Sequence, residues 1–446
     1  MRGVRRLWWV RLPRSSAKHP CRSGSNHASA VGNERAVPTM NPTEKGASIW
    51  LHVPVGQQAA GTWIDDVLRQ RTAQAGLTGK GEVTGALPRQ RVEVLRAYDP
   101  EAEANALFYR RGWTDGLPIV APTIARVRDM LRYAPETAST VVAELDPLRG
   151  QATVEKIAVN AVMAGCRPEY LPVVLAAVKG LADPAFNLRG VQMTDENVTP
   201  LLIVSGPLAR ELGINCGIGA LGPGWQANAT IGRAVRLVMN NIGGGWPGIT
   251  SLAGIGQPGR YTLCVAEHDR ASPWPPLHTE AGMPIEANAV TLLRAECSIN
   301  VTGELDDLAS VMGSAVSAFS MLHGGCVAVL LAPATAAKLT GTGWTKPDIA
   351  NYLFDHARMP LAQWEKLWVR RQISPTYGLP RWVREAEDRN LPIPIVERSQ
   401  DIIIFVAGGD APIPQHVYFP TWGFPTCRLV IPIELPRDWD RLLRDR

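Results

Sequence analysis

The segment from Leu201 to Ala234, LLIVSGPLARELGINCGIGALGPGWQANATIGRA, decides the fold class. It begins with LLIVS, a continuous apolar run rich in β-branched side chains, which is typical of a strand buried on both faces. Pro207 then opens a short helix, a glycine-rich loop follows, and a second helical pattern begins near Asn228. A buried strand followed by helices indicates an α/β protein.

The same order recurs further along the chain. The segment VAVLLAPATAAKLTGTGWTKPDIANYL (327–353) again predicts a strand, a helix, a glycine loop ending in Gly-Trp, and another helix. Three more runs predict buried strands: YTLCVAE (261–267), AVTLLRAE (289–296) and DIIIFVA (401–407). We therefore predict an α/β fold with mixed or mostly parallel sheets flanked by helices. Two related α/β halves would explain the recurrence, and chance similarity of α/β segments is the alternative.

Length and charge predict the domain organisation. The chain has 446 residues, 46% of them hydrophobic, which is enough for a large core. Residues 1–39 carry eight Lys and Arg against one Glu, so the remaining chain has a charge of about −2 and is not expected to bind nucleic acid. We predict a disordered basic leader at 1–45, an N-terminal arm at 46–100, an α/β domain with glycine-rich loops at 101–300 and a second α/β half at 301–446. The leader is either translated sequence upstream of a start at Met40 or an organellar transit peptide.

The distribution of apolar residues and cysteines predicts the cellular setting. No stretch reaches the roughly 18 uninterrupted apolar residues of a membrane span, so we expect a cytoplasmic protein without a membrane partner. The seven cysteines are odd in number and scattered, and none forms a C-x-x-C pair. This pattern argues against a disulfide framework and a structural zinc site, so we predict reduced thiols and no metal ligands. The sequence does not identify a cofactor.

The glycine-rich loop is the main candidate site. Its G-x-G-x-x-G pattern lacks the strand–turn–helix context of a dinucleotide site. Backbone amides beside a helix N-terminus still favour a carboxylate or phosphate. Cys216 in this loop would have a lowered thiol pKa and act as a catalytic residue, and a simply buried cysteine is the alternative. The predicted ligand-binding residues of this loop are Gly217, Gly219, Gly222, Gly224, Trp225 and Asn228.

Other candidates lie outside this loop. Cys166, in NAVMAGCRPEY, falls between two helices and is the second candidate catalytic thiol, with core packing as the alternative. Glu267 and His278 border a proline-rich loop after a strand, where a catalytic acid and base often lie; a capped strand and a surface histidine are the alternative. Asp115 and Asn160 are further ligand-binding candidates. The alternative for Asp115 is a turn residue, and the alternative for Asn160 is a buried amide that is bonded within the protein.

Several phrases resemble a known family. GWTDGLPIVAPT, ATVEKIAVNAVMAGCRPEYLPVVLAA, LGINCGIGALGPGWQANATIGRA and SPWPPLH are similar to the large, mostly uncharacterised bacterial proteins associated with the UGSC motif. The similarity runs from about residue 105 to the end of the chain. Some members carry selenocysteine or cysteine in a U/C-G-S-C signature, whereas this chain contains NCGIG and no C-G-S-C. The resemblance implies thiol or selenol redox chemistry, or a signature carried by a separate small partner chain.

These observations predict two classes of function. The first is an enzyme that acts on a small anionic organic substrate, which glycine-loop amides bind and a reactive cysteine attacks or oxidises. The alternative is a non-catalytic large subunit or ligand-binding module that works with a small partner protein. In both cases we expect a small anionic organic molecule as the ligand and a homo-oligomer as the assembly.

Overall fold

The computed structural model describes residues 47–52, 80–82, 91–314, 324–410, 413–423 and 428–445. Within it, the segment Gly46–Arg446 is one compact unit. The predicted leader at 1–45 and most of the predicted arm at 46–100 lie outside the described residues.

The described strands and helices alternate along most of the chain. The strands are β1 (Ala47–His52), β2 (Lys80–Glu82), β3 (Arg91–Ala97), β4 (Val141–Leu145), β5 (Gly150–Thr153), β6 (Thr199–Ser205), β7 (Cys264–Ala266), β8 (Ala289–Ala295), β9 (Ile299–Thr302), β10 (Val327–Leu331), β11 (Arg358–Met359), β12 (Ile393–Pro394), β13 (Ile402–Val406), β14 (Gln415–Phe419) and β15 (Leu429–Pro432). The α-helices are α1 (Pro100–Arg110), α2 (Ile124–Leu131), α3 (Val154–Ala164), α4 (Leu171–Leu181), α5 (Leu188–Met193), α6 (Pro207–Glu211), α7 (Gln226–Asn241), α8 (Leu305–Met312), α9 (Pro333–Gly341), α10 (Lys346–His356), α11 (Leu361–Trp364), α12 (Ser374–Tyr377), α13 (Arg381–Asp388) and α14 (Trp439–Arg444).

Two four-stranded mixed sheets form the centre of the protein. The first has the order β15-β8-β6-β7, in which β6 and β7 are parallel and the other pairs are antiparallel. The second has the order β13-β10-β14-β9, in which β10 and β13 are parallel. The predicted α/β fold with mixed sheets is confirmed. The chain changes sheet between β8 and β9, near the predicted boundary at residue 300, but β15 returns to the first sheet.

The buried strands are apolar on both faces because both faces of each sheet pack against other parts of the protein. In β6, Leu202 and Val204 belong to the core that packs against helices, whereas Leu201 and Ile203 belong to a core shared by both sheets. The shared core also contains Phe405 of β13. Successive side chains of a strand point to opposite faces, so the two sheets pack face to face with helices on their outer faces.

Helices on the outer face of the first sheet position the candidate site. Helix α3 begins after Thr153, whose hydroxyl accepts from the amide of Lys156, and ends at Gly165 with φ +88°. This left-handed conformation, which favours glycine, lets the chain turn towards α4. The resulting helical hairpin was predicted from the sequence, and α7 packs against both helices.

No helix among the described residues is by itself both long and apolar enough to cross a membrane. One pair of helical segments, Pro168–Leu181 and Pro184–Met193, meets the length and composition criteria jointly but is bent by 76°.

Candidate functional site

A cavity of about 590 Å³ lies between the C-terminal half of α7 and the loop that follows it. We call it the arginine cavity and define it by Arg236, Asn240, Trp246, Arg260 and Tyr261. Arg236 and Asn240 are four residues apart on α7, so their side chains lie on the same face, one helical turn apart. The other three residues come from the irregular segment 245–261, which folds back over this face.

Hydrogen bonds fix the two arginines relative to each other. The Nε of Arg236 donates to the backbone oxygen of Arg260 at 2.9 Å, and its Nη2 donates to the hydroxyl of Thr199 at 3.1 Å. The Nη2 of Arg260 donates to the hydroxyl of Ser251 at 3.1 Å. Both guanidinium groups are therefore anchored by neutral oxygens, which do not compensate their charge.

The charges of these arginines lack a counter-ion among the residues that the structure describes. Arg236 is 7% exposed, and neither Arg236 nor Arg260 forms an ion pair with a carboxylate in the described part of the chain. Burial, together with the charge of Arg260, lowers the pKa of Arg236 to about 9, and burial also lowers the pKa of Arg260. Burial disfavours the charged form of a base, so an anion in this cavity would stabilise both arginines.

Two buried polar atoms of the cavity also lack a hydrogen-bond partner among the described residues. They are the Oδ1 of Asn240, a residue that is 7% exposed, and the Nε of Arg260. Buried polar atoms in folded proteins are nearly always paired with protein, water or ligand atoms. Both atoms belong to residues of the cavity wall, and both are themselves buried.

Asp115, a predicted ligand-binding residue, lines the arginine cavity but is already engaged. Its carboxylate forms two hydrogen bonds with Arg233, Nε to Oδ2 at 2.7 Å and Nη2 to Oδ1 at 2.8 Å. The side chains are 4% and 14% exposed, respectively. Arg233 also donates to the backbone oxygen of Pro118 at 2.8 Å. Asp115 therefore attaches the loop before Pro118 to α7 beside the cavity.

Two amides of the glycine-rich loop that were predicted to bind an anion are hydrogen-bonded within the loop region instead. The amide of Gly217 donates to the Oδ1 of Asn215 at 2.8 Å, and that of Gly222 donates to the backbone oxygen of Gly219, also at 2.8 Å. The loop from Gly219 to Trp225 is exposed apart from Ala220. Its predicted ligand-binding residues do not line the arginine cavity: Gly217, Gly219, Gly222, Gly224 and Trp225.

Asn228 is a structural residue rather than a ligand contact. It is 4% exposed, and its Oδ1 accepts from the amide of Asn215 at 2.7 Å. Its Nδ2 donates to the backbone oxygens of Asn215 at 2.9 Å, Cys264 at 3.2 Å and Ala220 at 3.3 Å. The amide therefore joins the glycine-rich loop to the edge strand β7 and uses its Nδ2 hydrogens for these bonds.

The lowered thiol pKa predicted for Cys216 is wrong in direction. Burial, and secondarily the charge of Asp269, raises the pKa of Cys216. Burial raises the pKa of Cys166 to about 12, although the charge of the nearby Arg233 opposes this effect. The Sγ of Cys166 donates to the backbone oxygen of Thr230 at 3.2 Å, which also favours the protonated thiol. Both thiols are therefore protonated near neutral pH, and their catalytic role stays a prediction.

Glu267 lies at the end of β7, as predicted, in a buried polar cluster. Its Oε2 accepts from the hydroxyl of Ser205 at 2.9 Å and from the amide of Leu277 at 2.8 Å, and its Oε1 lies 3.5 Å from the Nζ of Lys346. Burial raises the pKa of Glu267, although Lys346 opposes this effect. Lys346 also pairs with Glu280 at 3.1 Å, and both line a second cavity of about 580 Å³.

His278 is fully buried, so the alternative prediction of a surface histidine is wrong. Its Nε2 lies 3.2 Å from the backbone oxygen of Ile285, and its Nδ1 has no partner among the described residues. The amide of Leu277, the residue that precedes His278, donates to Glu267. In the described ranges, no three His, Cys, Asp or Glu side chains are grouped as metal ligands.

Asn160, another predicted ligand-binding residue, forms hydrogen bonds that join two helices. Its Nδ2 donates to the backbone oxygen of Lys156 at 2.9 Å, and its Oδ1 accepts from the Nδ2 of Asn241 at 2.8 Å. The Nδ2 of Asn241 also donates to the backbone oxygen of Trp113 at 2.9 Å. Asn160 therefore links α3 to α7 in the core, as its structural alternative predicted.

Sequence reasoning did not identify the residues that define the arginine cavity. One available signal was Arg236, a cation within the apolar pattern AVRLVM of α7, followed one turn later by Asn240. The other was the second G-x-G-x-x-G pattern, at Gly254, Gly256 and Gly259, which belongs to the loop at this cavity. No protein-family model, curated protein or solved structure matches the chain, so the resemblance to the UGSC-associated proteins stays a prediction.

Proposed function

We propose that this protein binds a small organic anion in the arginine cavity. The observation that supports this function best is the pair Arg236 and Arg260, which lie on one cavity and form no ion pair with an acidic side chain in the described residues. A buried cation without a counter-ion destabilises the folded protein, and a bound carboxylate or phosphate offsets that cost.

The rest of the cavity indicates the other part of the ligand. Its volume of about 590 Å³ is within the range of small-molecule sites. The indole of Trp246 is fixed by a hydrogen bond from its Nε1 to the backbone oxygen of Gly112 at 3.1 Å, and Tyr261 is 48% exposed at the same cavity. Aromatic walls of this kind favour a flat apolar group. We therefore propose an anion that carries an aromatic or other apolar group.

The raised thiol pKa values support ligand binding more strongly than thiol catalysis. An enzyme that uses Cys216 or Cys166 needs a thiolate, and burial disfavours the thiolate at both positions. Glu267, the predicted catalytic acid, does not line the arginine cavity, and its catalytic role stays a prediction. The homo-oligomer, the small partner protein and the cytoplasmic location stay predictions.

Isothermal titration calorimetry with two model anions tests this function. Phenylacetate and phenyl phosphate carry the two candidate anionic groups on the same ring, and phenylacetamide is the uncharged match. We expect the wild-type protein to bind at least one anion and not the amide. Each of the variants Arg236→Met and Arg260→Met should weaken binding about 10- to 100-fold, the value of one charge-assisted hydrogen bond.

Arg132→Met is the matched control. Arg132 is paired with Asp129 at 3.2 Å on the surface, and its side chain is 53% exposed, so its replacement should leave the affinity unchanged. Absence of binding by either anion, or equal affinity in the wild type and in both cavity variants, would contradict the proposed function.

A further inference from the structure

Building on the proposed function, we infer that the arginine cavity binds an organic dianion, either a phosphate monoester or a dicarboxylate, in preference to a monoanion. The inference depends on the number of uncompensated positive charges at the cavity wall. Among the described residues, three with charged side chains line this cavity: Asp115, Arg236 and Arg260. The way in which these three are paired within the protein determines the charge that a bound molecule meets.

The negative charge at the cavity wall is already compensated. The carboxylate of Asp115 forms two hydrogen bonds with Arg233, and these two side chains are only 4% and 14% exposed, respectively. Such a bidentate pair of opposite charges has no net charge. Asp115 is therefore not the counter-ion of Arg236 or of Arg260.

Two positive charges consequently remain at the cavity. Burial and the charge of Arg260 lower the pKa of Arg236, burial lowers the pKa of Arg260, and no carboxylate in the described ranges opposes either effect. The pKa of Arg236 is still about 9, so its guanidinium group is cationic at pH 7.5. Arginine at position 260 is cationic as well, because a guanidinium group retains its proton near neutral pH.

Each of these arginines also keeps a donor that is accessible and unused. The bonded nitrogens are the Nε and Nη2 of Arg236 and the Nη2 of Arg260. The Nη1 of each residue forms no hydrogen bond with the part of the chain that the structure describes, and, unlike the Nε of Arg260, neither Nη1 is fully buried. Both residues line the cavity, so each can donate to a bound anion.

A single negative charge compensates only one of the two cations. With a monoanion bound, one positive charge remains uncompensated in surroundings from which the ligand has displaced water, and this charge continues to destabilise the complex. The second negative charge of a dianion removes that cost. Because charges interact more strongly away from bulk water, the gain should be visible in the affinity.

Isothermal titration calorimetry of the full-length protein at pH 7.5 with two matched pairs of probes tests the inference. Phenyl sulfate and phenyl phosphate have the same shape, but the sulfate carries one negative charge and the phosphate nearly two. Benzoate and phthalate provide the corresponding comparison for carboxylates, which are ionised at this pH. We expect the dianion of at least one pair to bind about 10- to 100-fold more tightly than its monoanion, the value of one further charge-assisted hydrogen bond. The pair with the larger preference identifies the anionic group.

Two variants at position 260 separate the effect of charge from that of shape. Arg260→Met leaves one cation at the cavity, so the preference for the dianion should largely disappear. Arg260→Lys keeps the positive charge and should retain most of the preference, although the planar fork of donors is lost. Arg132→Met on the surface is the control and should leave the preference unchanged.

Equal affinities for dianion and monoanion in both pairs would overturn the dianion inference and leave the proposed function intact. This comparison uses the wild-type protein, so it decides the question even if Arg260→Met does not fold. A preference of the same size in Arg260→Met as in the wild type would also overturn the inference. Binding of none of the probes, including phenylacetate, would instead contradict the proposed function.

Discussion

Replacing Asp115 with Ala should destabilise the protein by about 3–5 kcal/mol, the usual cost of removing one partner of a buried ion pair. The change deletes two hydrogen bonds, at 2.7 and 2.8 Å, and leaves Arg233 charged at a position where its side chain is 14% exposed. Backbone oxygens near Arg233, such as that of Pro118, remain but carry no full charge. Because both side chains are shielded from water, solvent screening reduces this cost only slightly.

The assay is urea denaturation followed by circular dichroism. Asp129→Ala is the matched control, since the pair of Asp129 with Arg132 is about half exposed and should contribute no more than about 1 kcal/mol. The double variant Asp115→Ala/Arg233→Met should be more stable than Asp115→Ala alone, because it removes the uncompensated cation. A loss below about 1 kcal/mol for Asp115→Ala, or strictly additive effects in the double variant, would refute the reasoning.

Two further predictions concern the glycine-rich loop and its thiols. Asn228→Ala removes the amide that bonds Asn215, Ala220 and Cys264, so we expect a loss of about 2–4 kcal/mol in urea and faster proteolysis within 213–225, with no change in anion binding at the arginine cavity. The pKa of Cys166 is raised to about 12, so above the ordinary thiol pKa the unfolded chain loses a proton that the folded protein retains. The stability contributed by this thiol should therefore be present below pH 9 and fall towards pH 12. In alkaline unfolding curves, the variant Cys166→Ser should show a smaller fall. If iodoacetamide labels native Cys166 at pH 8 as fast as it labels free cysteine, this expectation is contradicted.

The sequence alone determined the fold class and the strands that carry it. Runs such as LLIV, VAVLL and IIIFV are apolar at every position, which requires cover on both faces, and the structure shows these runs within β6, β10 and β13. Apolar residues at helical spacing, with Pro168 in the first turn of the second helix, predicted the α3–α4 hairpin for the same local reason. These features depend on neighbours in the chain, so periodicity and turn chemistry are sufficient to identify them.

Only the tertiary structure brought together the two arginines for which we propose an anion. In the sequence, Cys216 beside glycines and Arg236 within an apolar helix are single residues whose surroundings are unknown. Folding buries Cys216, which raises its pKa. It pairs amides of the glycine-rich loop with acceptors of the same chain, as for Gly217 and the Oδ1 of Asn215. It also brings Arg260 into contact with Arg236. Desolvation and the absence or presence of a counter-ion depend on contacts between segments far apart in the chain, and local sequence patterns do not specify such contacts.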